Sequence, residues 1–96
     1  MGVEAANIDV WYIYIDEAKA SYIATKGVYP EDVQEVHDSA PRYFLKNGGR
    51  GLYNMIGPRR DGRFLVVSLM HIEGQTWRLI TAYWNDDGRA RRINEA

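Results

Sequence analysis

Residues 62–84 read Gly-Arg-Phe-Leu-Val-Val-Ser-Leu-Met-His-Ile, then Glu-Gly-Gln, then Thr-Trp-Arg-Leu-Ile-Thr-Ala-Tyr-Trp. Two runs rich in β-branched and aromatic residues, joined by a short glycine-bearing turn, predict a long β-hairpin and commit the chain to a sheet. Each run carries one arginine, Arg63 and Arg78, in an otherwise apolar strand. A guanidinium there must reach water, an acid or a phosphate, because burying it unpaired is prohibitive. If the hairpin turns through Glu73-Gly74-Gln75, His71 faces Trp77, Leu69 faces Leu79 and Leu65 faces Tyr83. Alternation then places Arg63, Leu65, Val67, Leu69 and His71 on one face with Tyr83, and Arg78 on the other with Phe64, Met70 and Trp84. A slip of one residue would move Arg78 across, so the register decides whether the two arginines converge.

The residues before the hairpin predict the layer that packs on it. Residues 7–15 read as a strand, rich in β-branched and aromatic types, with Trp11, Tyr12 and Tyr14 expected in the core. Asp16 is placed to cap a helix running to about Lys26, with Gly27 as its left-handed terminator and Ala18, Tyr22 and Ile23 as its apolar face. Pro30 suits the first position of a second helix, with Glu31 and Asp32 in its first turn and Val33 and Val36 as buried contacts. Arg42 to Lys46 and Gly51 to Ile56 predict a strand pair across Asn47-Gly48-Gly49. Asn85 is a candidate cap for a short C-terminal helix, with Asp86 and Asp87 before Arg89, Arg91 and Arg92. The expected fold is α+β: a single domain over residues 1–96, with a small antiparallel sheet of four to five strands, two N-terminal helices and a short C-terminal helix.

Ninety-six residues fit one domain. A chain of this length buries only about 60–65% of the surface its unfolded form exposes, so its stability margin is thin. There is no cysteine, and His37 and His71 show no metal-ligand spacing, which leaves no disulfide framework or zinc motif to read. The first residues lack a basic segment and a long apolar core, and no run approaches a membrane span; a cytoplasmic protein without membrane contact is the expectation.

Charge is unevenly spread. Residues 1–40 hold eight acids against Lys19 and Lys26, and residues 41–96 hold ten arginines and lysines against five acids, giving −6 and +5. Such asymmetry suits an electropositive face for a polyanion or an acidic partner, and equally two halves that satisfy each other within one fold.

Lys26-Gly27-Val28-Tyr29-Pro30-Glu31-Asp32-Val33-Gln34-Glu35-Val36 resembles the "HGV-x-x-E-E-x-x-x-V" segment of the BrnT toxin family. Ile56-Gly57 followed by Gly62-Arg63-Phe64-Leu65-Val66-Val67 resembles its "IG…GR-x-L-x-V-V" strand, and Trp77-Arg78-Leu79-Ile80-Thr81-Ala82 its "x-R-I-I-S-A-R". In order, these pieces cover about residues 14–94. The chain departs from the pattern at Lys26, where the family has histidine, and at Tyr83, where it has arginine. The terminal "E-R-x-x-Y" is replaced by Ala90-Arg91-Arg92-Ile93-Asn94.

The resemblance implies a RelE/ParE-like fold and the toxin of a type II toxin–antitoxin pair, an endoribonuclease that cleaves RNA without a metal or other cofactor. In such chemistry the ribose 2′ hydroxyl attacks its own phosphate, and cations stabilise the charge that develops. On matching positions Arg50, Arg63 and Arg78 would hold the scissile phosphate, with His71 or Tyr83 transferring protons. Arg59, Arg60 and Lys46 would join Arg50 in binding RNA. A small antitoxin would be the protein partner. Alternatives are a non-catalytic binding or regulatory module on the same fold, and a homo-oligomer that pairs through an open sheet edge.

Overall fold

The structure, a computed structural model, describes residues 10–38, 43–46, 51–59 and 62–85. Along the chain these form β1 (Tyr12–Tyr14), α1 (Glu17–Ala24), α2 (Pro30–Asp38), β2 (Tyr43–Lys46), β3 (Leu52–Pro58), β4 (Phe64–Glu73) and β5 (Thr76–Asn85). They build an α+β unit in which five strands make one sheet in the order β1-β5-β4-β3-β2.

The expectation of an antiparallel sheet is corrected at one edge. β2 to β5 form an antiparallel meander, but β1 pairs parallel to β5, with Tyr12 beside Thr76 and Tyr14 beside Arg78. The sheet is therefore mixed. A parallel pair requires a crossover, and α1 and α2, with the meander after them, lie between its two strands in the chain. The expected C-terminal helix falls on residues outside those described; β5 itself runs through Asn85.

Local signals explain both helices. The Asp16 carboxylate accepts from the Lys19 N–H at 2.7 Å, which satisfies one of the orphan donors of the first turn of α1. α1 ends in a Schellman arrangement: the Val28 N–H reaches the Ile23 carbonyl at 3.1 Å and the Gly27 N–H reaches the Ala24 carbonyl at 3.0 Å. Gly27 supplies the required left-handed backbone at φ 75°. Ile23 and Val28, brought together by that turn, are both fully buried. Pro30 opens α2, where the buried Asp32 accepts from the Tyr29 N–H at 2.9 Å. At the other end the His37 Nε2 lies 2.6 Å from the Val10 carbonyl, tying α2 to the entry of β1.

Ile23, Val28, Val33 and Val36 pack with Met55, Leu65, Val67, Leu69, Trp77, Leu79 and Ala82 into the main core, so both helices lie on one face of the sheet. Ile56, Phe64 and Val66, with Leu45 against them, form a smaller cluster on the opposite face. β4 is central and buried on both sides from Phe64 to Leu69, which accounts for its unbroken apolar run.

The turn falls at the expected place but is tighter than the expected three residues: Glu73 belongs to β4, and an irregularity at Ile72 offsets the difference. Glu73 pairs with Thr76 around Gly74 and Gln75, and Gly74 at φ 53° occupies the first central position of a type II′ turn. His71 does face Trp77, and Leu69 faces Leu79. Beyond that point the expected register fails. A β-bulge at Ile80 shifts the pairing, so Leu65 faces Trp84 and Tyr83 faces Val66. Tyr83 consequently shares a face with Arg78, and Trp84 joins the helix-covered face.

The expected burial of three aromatics is also corrected. Trp11, Tyr12 and Tyr14 are 65%, 68% and 52% exposed, and only Ile13 of β1 packs on the core. On a three-residue edge strand, alternation sends one side chain inward and its neighbours out. In α1, Ile23 alone is buried, and Tyr22 and Ala18 are exposed. Among the described residues, no helix is long and apolar enough to cross a membrane.

Candidate functional site

Arg63 and Arg78 do not converge. Arg78 sits opposite Met70 on the face away from the helices, with its guanidinium carbon 6.0 Å from the centre of the Tyr14 ring. Arg63 precedes β4 at the other end of the sheet, and its guanidinium carbon lies 4.2 Å over the Trp84 ring. At about 3.3 Å per residue, the two backbones stand on the order of 20 Å apart along the strands, and the side chains occupy opposite faces. No single phosphate spans that separation.

The remaining sequence candidates are equally dispersed. Tyr83 is exposed on the face of Arg78 but nearer the far end of β5. His71 lies near the hairpin tip, its ring 4.9 Å from that of Trp77 and its Nε2 2.8 Å from the Gly74 carbonyl. Lys46 ends β2, the edge strand furthest from β5. Arg50 and Arg60 fall outside the described residues. Arg59 is partly buried in an acidic setting, 3.3 Å from Asp32 and 3.6 Å from Glu35. It faces α2 instead of open solvent.

What the fold does assemble is a corner where the end of α1 meets the last turns of β5. β1 flanks β5 only from Thr76 to Arg78. Past the bulge, the Schellman turn of α1 lies along that edge. There the Lys26 ammonium donates to the Thr81 hydroxyl at 3.1 Å, and the Trp84 indole N–H donates to the Gly27 carbonyl at 3.0 Å. Lys26 Nζ also lies 4.7 Å from the centre of the Tyr22 ring, one helical turn back. Arg63 completes the corner from below, stacked on Trp84. The Arg59 N–H to Arg63 carbonyl bond of 2.7 Å closes the β3–β4 connection and sets both arginines at this corner.

Among the described residues, Tyr22 is the one group whose ionisation departs clearly from its ordinary range. Hydrogen bonds from Lys26 and then Thr81 pull its pKa below 10, and the Lys26 positive charge adds to the effect. Burial opposes it, weakly for a side chain that is 45% exposed. The corner thus offers an exposed phenol of raised acidity, two cations that sit within reach of solvent, and an indole platform. That set can bind an anion and accept a proton. Among the described residues, no group of three His, Asp or Glu side chains is placed to hold a metal ion.

Sequence reasoning assigned Lys26 only a place in a motif and Tyr22 a place on an apolar helix face. The i, i+4 spacing of Tyr22 and Lys26 was the available signal, since such residues are neighbours on a helix surface. Nothing local pointed to Thr81 or to Trp84 as their partners. Neither a scan against protein-family models nor a search of curated proteins finds a match to this chain.

Proposed function

We propose that this protein is a BrnT-like toxin of RelE/ParE-like fold, the endoribonuclease of a type II toxin–antitoxin pair, acting on RNA at the corner of Tyr22, Lys26, Arg63 and Trp84. The observation that carries the reading is the Lys26 ammonium beside an acidified phenol, next to a half-buried indole on which Arg63 is stacked. Metal-independent RNA cleavage asks for those parts: cations where charge builds on the phosphate, and a group that takes the 2′ proton. An indole and a guanidinium plane also suit single-stranded RNA, whose unstacked bases settle on such surfaces. A small antitoxin that covers the corner would silence it in the cytoplasm.

A second reading, a binding module acting through protein contacts, is favoured by the exposed Tyr12, Tyr14, Met70 and Arg78 on the face away from the helices.

Growth after controlled induction decides between them. The toxin reading expects arrest with degraded RNA, relieved by Arg63→Ala at equal expression and not by Arg78→Ala. Normal growth with intact RNA at high soluble expression would sink it. Relief by Arg78→Ala alone would move the site to the opposite face.

A further inference from the structure

We propose that the Tyr22 phenolic oxygen is the proton acceptor for RNA cleavage at this corner, held in place by Lys26 and Thr81. The assignment rests on the ribonuclease reading above. Three separated parts of the chain converge to make it: the second turn of α1, the residue ahead of its glycine terminator, and β5 just past the bulge. The Lys26–Thr81 hydrogen bond of 3.1 Å holds the ammonium over the Tyr22 ring, with Nζ 4.7 Å from the ring centre. Core packing does not require this cluster. Ile23 supplies the buried contact of α1, whereas Tyr22 keeps almost half its surface open to a substrate.

The acidity of the phenol agrees with the role. Lys26 and Thr81 favour the phenolate, so a larger fraction is ionised near neutral pH than for an isolated tyrosine. In the step itself, the ribose 2′ hydroxyl gives its proton to the Tyr22 oxygen as the 2′ oxygen bonds to phosphorus. The bond from phosphorus to the 5′ oxygen breaks, and that oxygen takes a proton from water. The products are a 2′,3′-cyclic phosphate and a 5′ hydroxyl. Lys26, beside the phenol, faces the charge that grows on the phosphate oxygens. Thr81 and Lys26 act on the base as positioning residues, and Lys26 has the second task of binding the anion.

The test uses the purified full chain, a labelled single-stranded RNA and its 2′-O-methyl analogue, which binds but cannot be cleaved. The wild-type rate should rise about tenfold per pH unit on the acidic side and level off as Tyr22 ionises. Tyr22→Phe should lower cleavage by about 10²-fold or more and remove that limb, with binding of the 2′-O-methyl RNA unchanged. Thr81→Val keeps both cations and removes one hydrogen bond to the phenol, so its limb should move to higher pH with a similar plateau. Lys26→Met should move it further. Melting curves confirm that the variants fold, and Thr81→Val carries the test if Tyr22→Phe does not.

Wild-type rates and pH profile in Tyr22→Phe, beside a defective Arg63→Ala, would overturn the role of Tyr22 and leave the ribonuclease reading standing. Equal loss of cleavage and of 2′-O-methyl RNA binding in Tyr22→Phe would overturn it in favour of a binding role. A wild-type protein that cleaves no RNA would overturn both.

Discussion

The two halves of β5 are one strand in two settings. From Thr76 to Arg78 it has strands on both sides, and its inward side chain, Trp77, packs against Tyr53, the His71 ring and the core. From Thr81 onward β1 is gone, and the end of α1 takes its place along the edge. There the side chains trade apolar neighbours for polar ones: Thr81 with Lys26, Trp84 with the Gly27 carbonyl and the Arg63 guanidinium. A strand fully paired on both edges spends its backbone groups on its neighbours. A strand that loses one neighbour presents an edge that polar side chains and backbone can approach. The bulge at Ile80 divides the two regimes, and it also sends Arg78 and Trp84 to opposite faces.

Deleting Ile80 is the harshest way to break the contrast. Without the extra residue, either Trp77 and Leu79 or Ala82 and Trp84 must leave the helix-covered face. Each large apolar side chain so exposed costs about 1.5–3 kcal/mol, against a total stability of about 5–15 kcal/mol for an ordinary domain. Loss of cooperative thermal unfolding is the expected result, and an intact sharp melt would show that the bulge is dispensable.

A milder comparison sets the core beside the edge strand. Leu69, fully buried opposite Leu79, should lose about 2–5 kcal/mol on Leu69→Ala. Tyr12→Ser, at an exposed position of β1, should stay within about 1 kcal/mol in the same urea titration. Similar losses in the two would mean that Tyr12 is covered in solution. The smallest effect sharpens the comparison between the arginines. Arg63→Ala should remove about 0.5–1 kcal/mol of cation–π attraction to Trp84. Arg78→Ala, from a guanidinium 6.0 Å from the Tyr14 ring, should be close to neutral. A larger loss for Arg78 would reverse the assignment of the structured corner.

Much of this fold is written in short-range chemistry. Asp16, Gly27 and Pro30 mark helix boundaries through their own backbone and capping preferences, and all three stand at the helix ends they predict. Glu73-Gly74-Gln75 likewise marks its turn and fixes the first pairs of the hairpin. The bulge was not legible, because Ile80 is as good a strand residue as its neighbours and its extra place shows only in the partner's register. The parallel pairing of β1 was hidden for a different reason, since its partners lie far apart in the chain. Tyr12 and Tyr14 announced a strand, but aromatic composition does not say which side of it is covered.

The candidate site divides in the same way. Arg63 stood out as a cation in an apolar run. Tyr22 and Lys26 were adjacent on a helix surface yet read as packing and motif residues. Thr81 and Trp84 became their partners only through the fold. The other arginine of the hairpin, equally conspicuous in the sequence, ended on the far side of the sheet.

The place of β1 has a kinetic consequence. The meander from β2 to β5 can zip up through short connections, but Tyr12 and Thr76 meet only after the long stretch of chain between them has been gathered. Closing so long a loop is entropically expensive before any contact rewards it, so the β1–β5 seam should form after the folding barrier. Ile13→Val should then quicken unfolding and leave the folding rate nearly untouched, whereas Val67→Ala in the meander should slow folding. If both substitutions slowed folding alike, the seam would belong to the nucleus. A late seam would make the edge of β5 from Thr76 to Arg78 the last part of the sheet to close and the first to reopen.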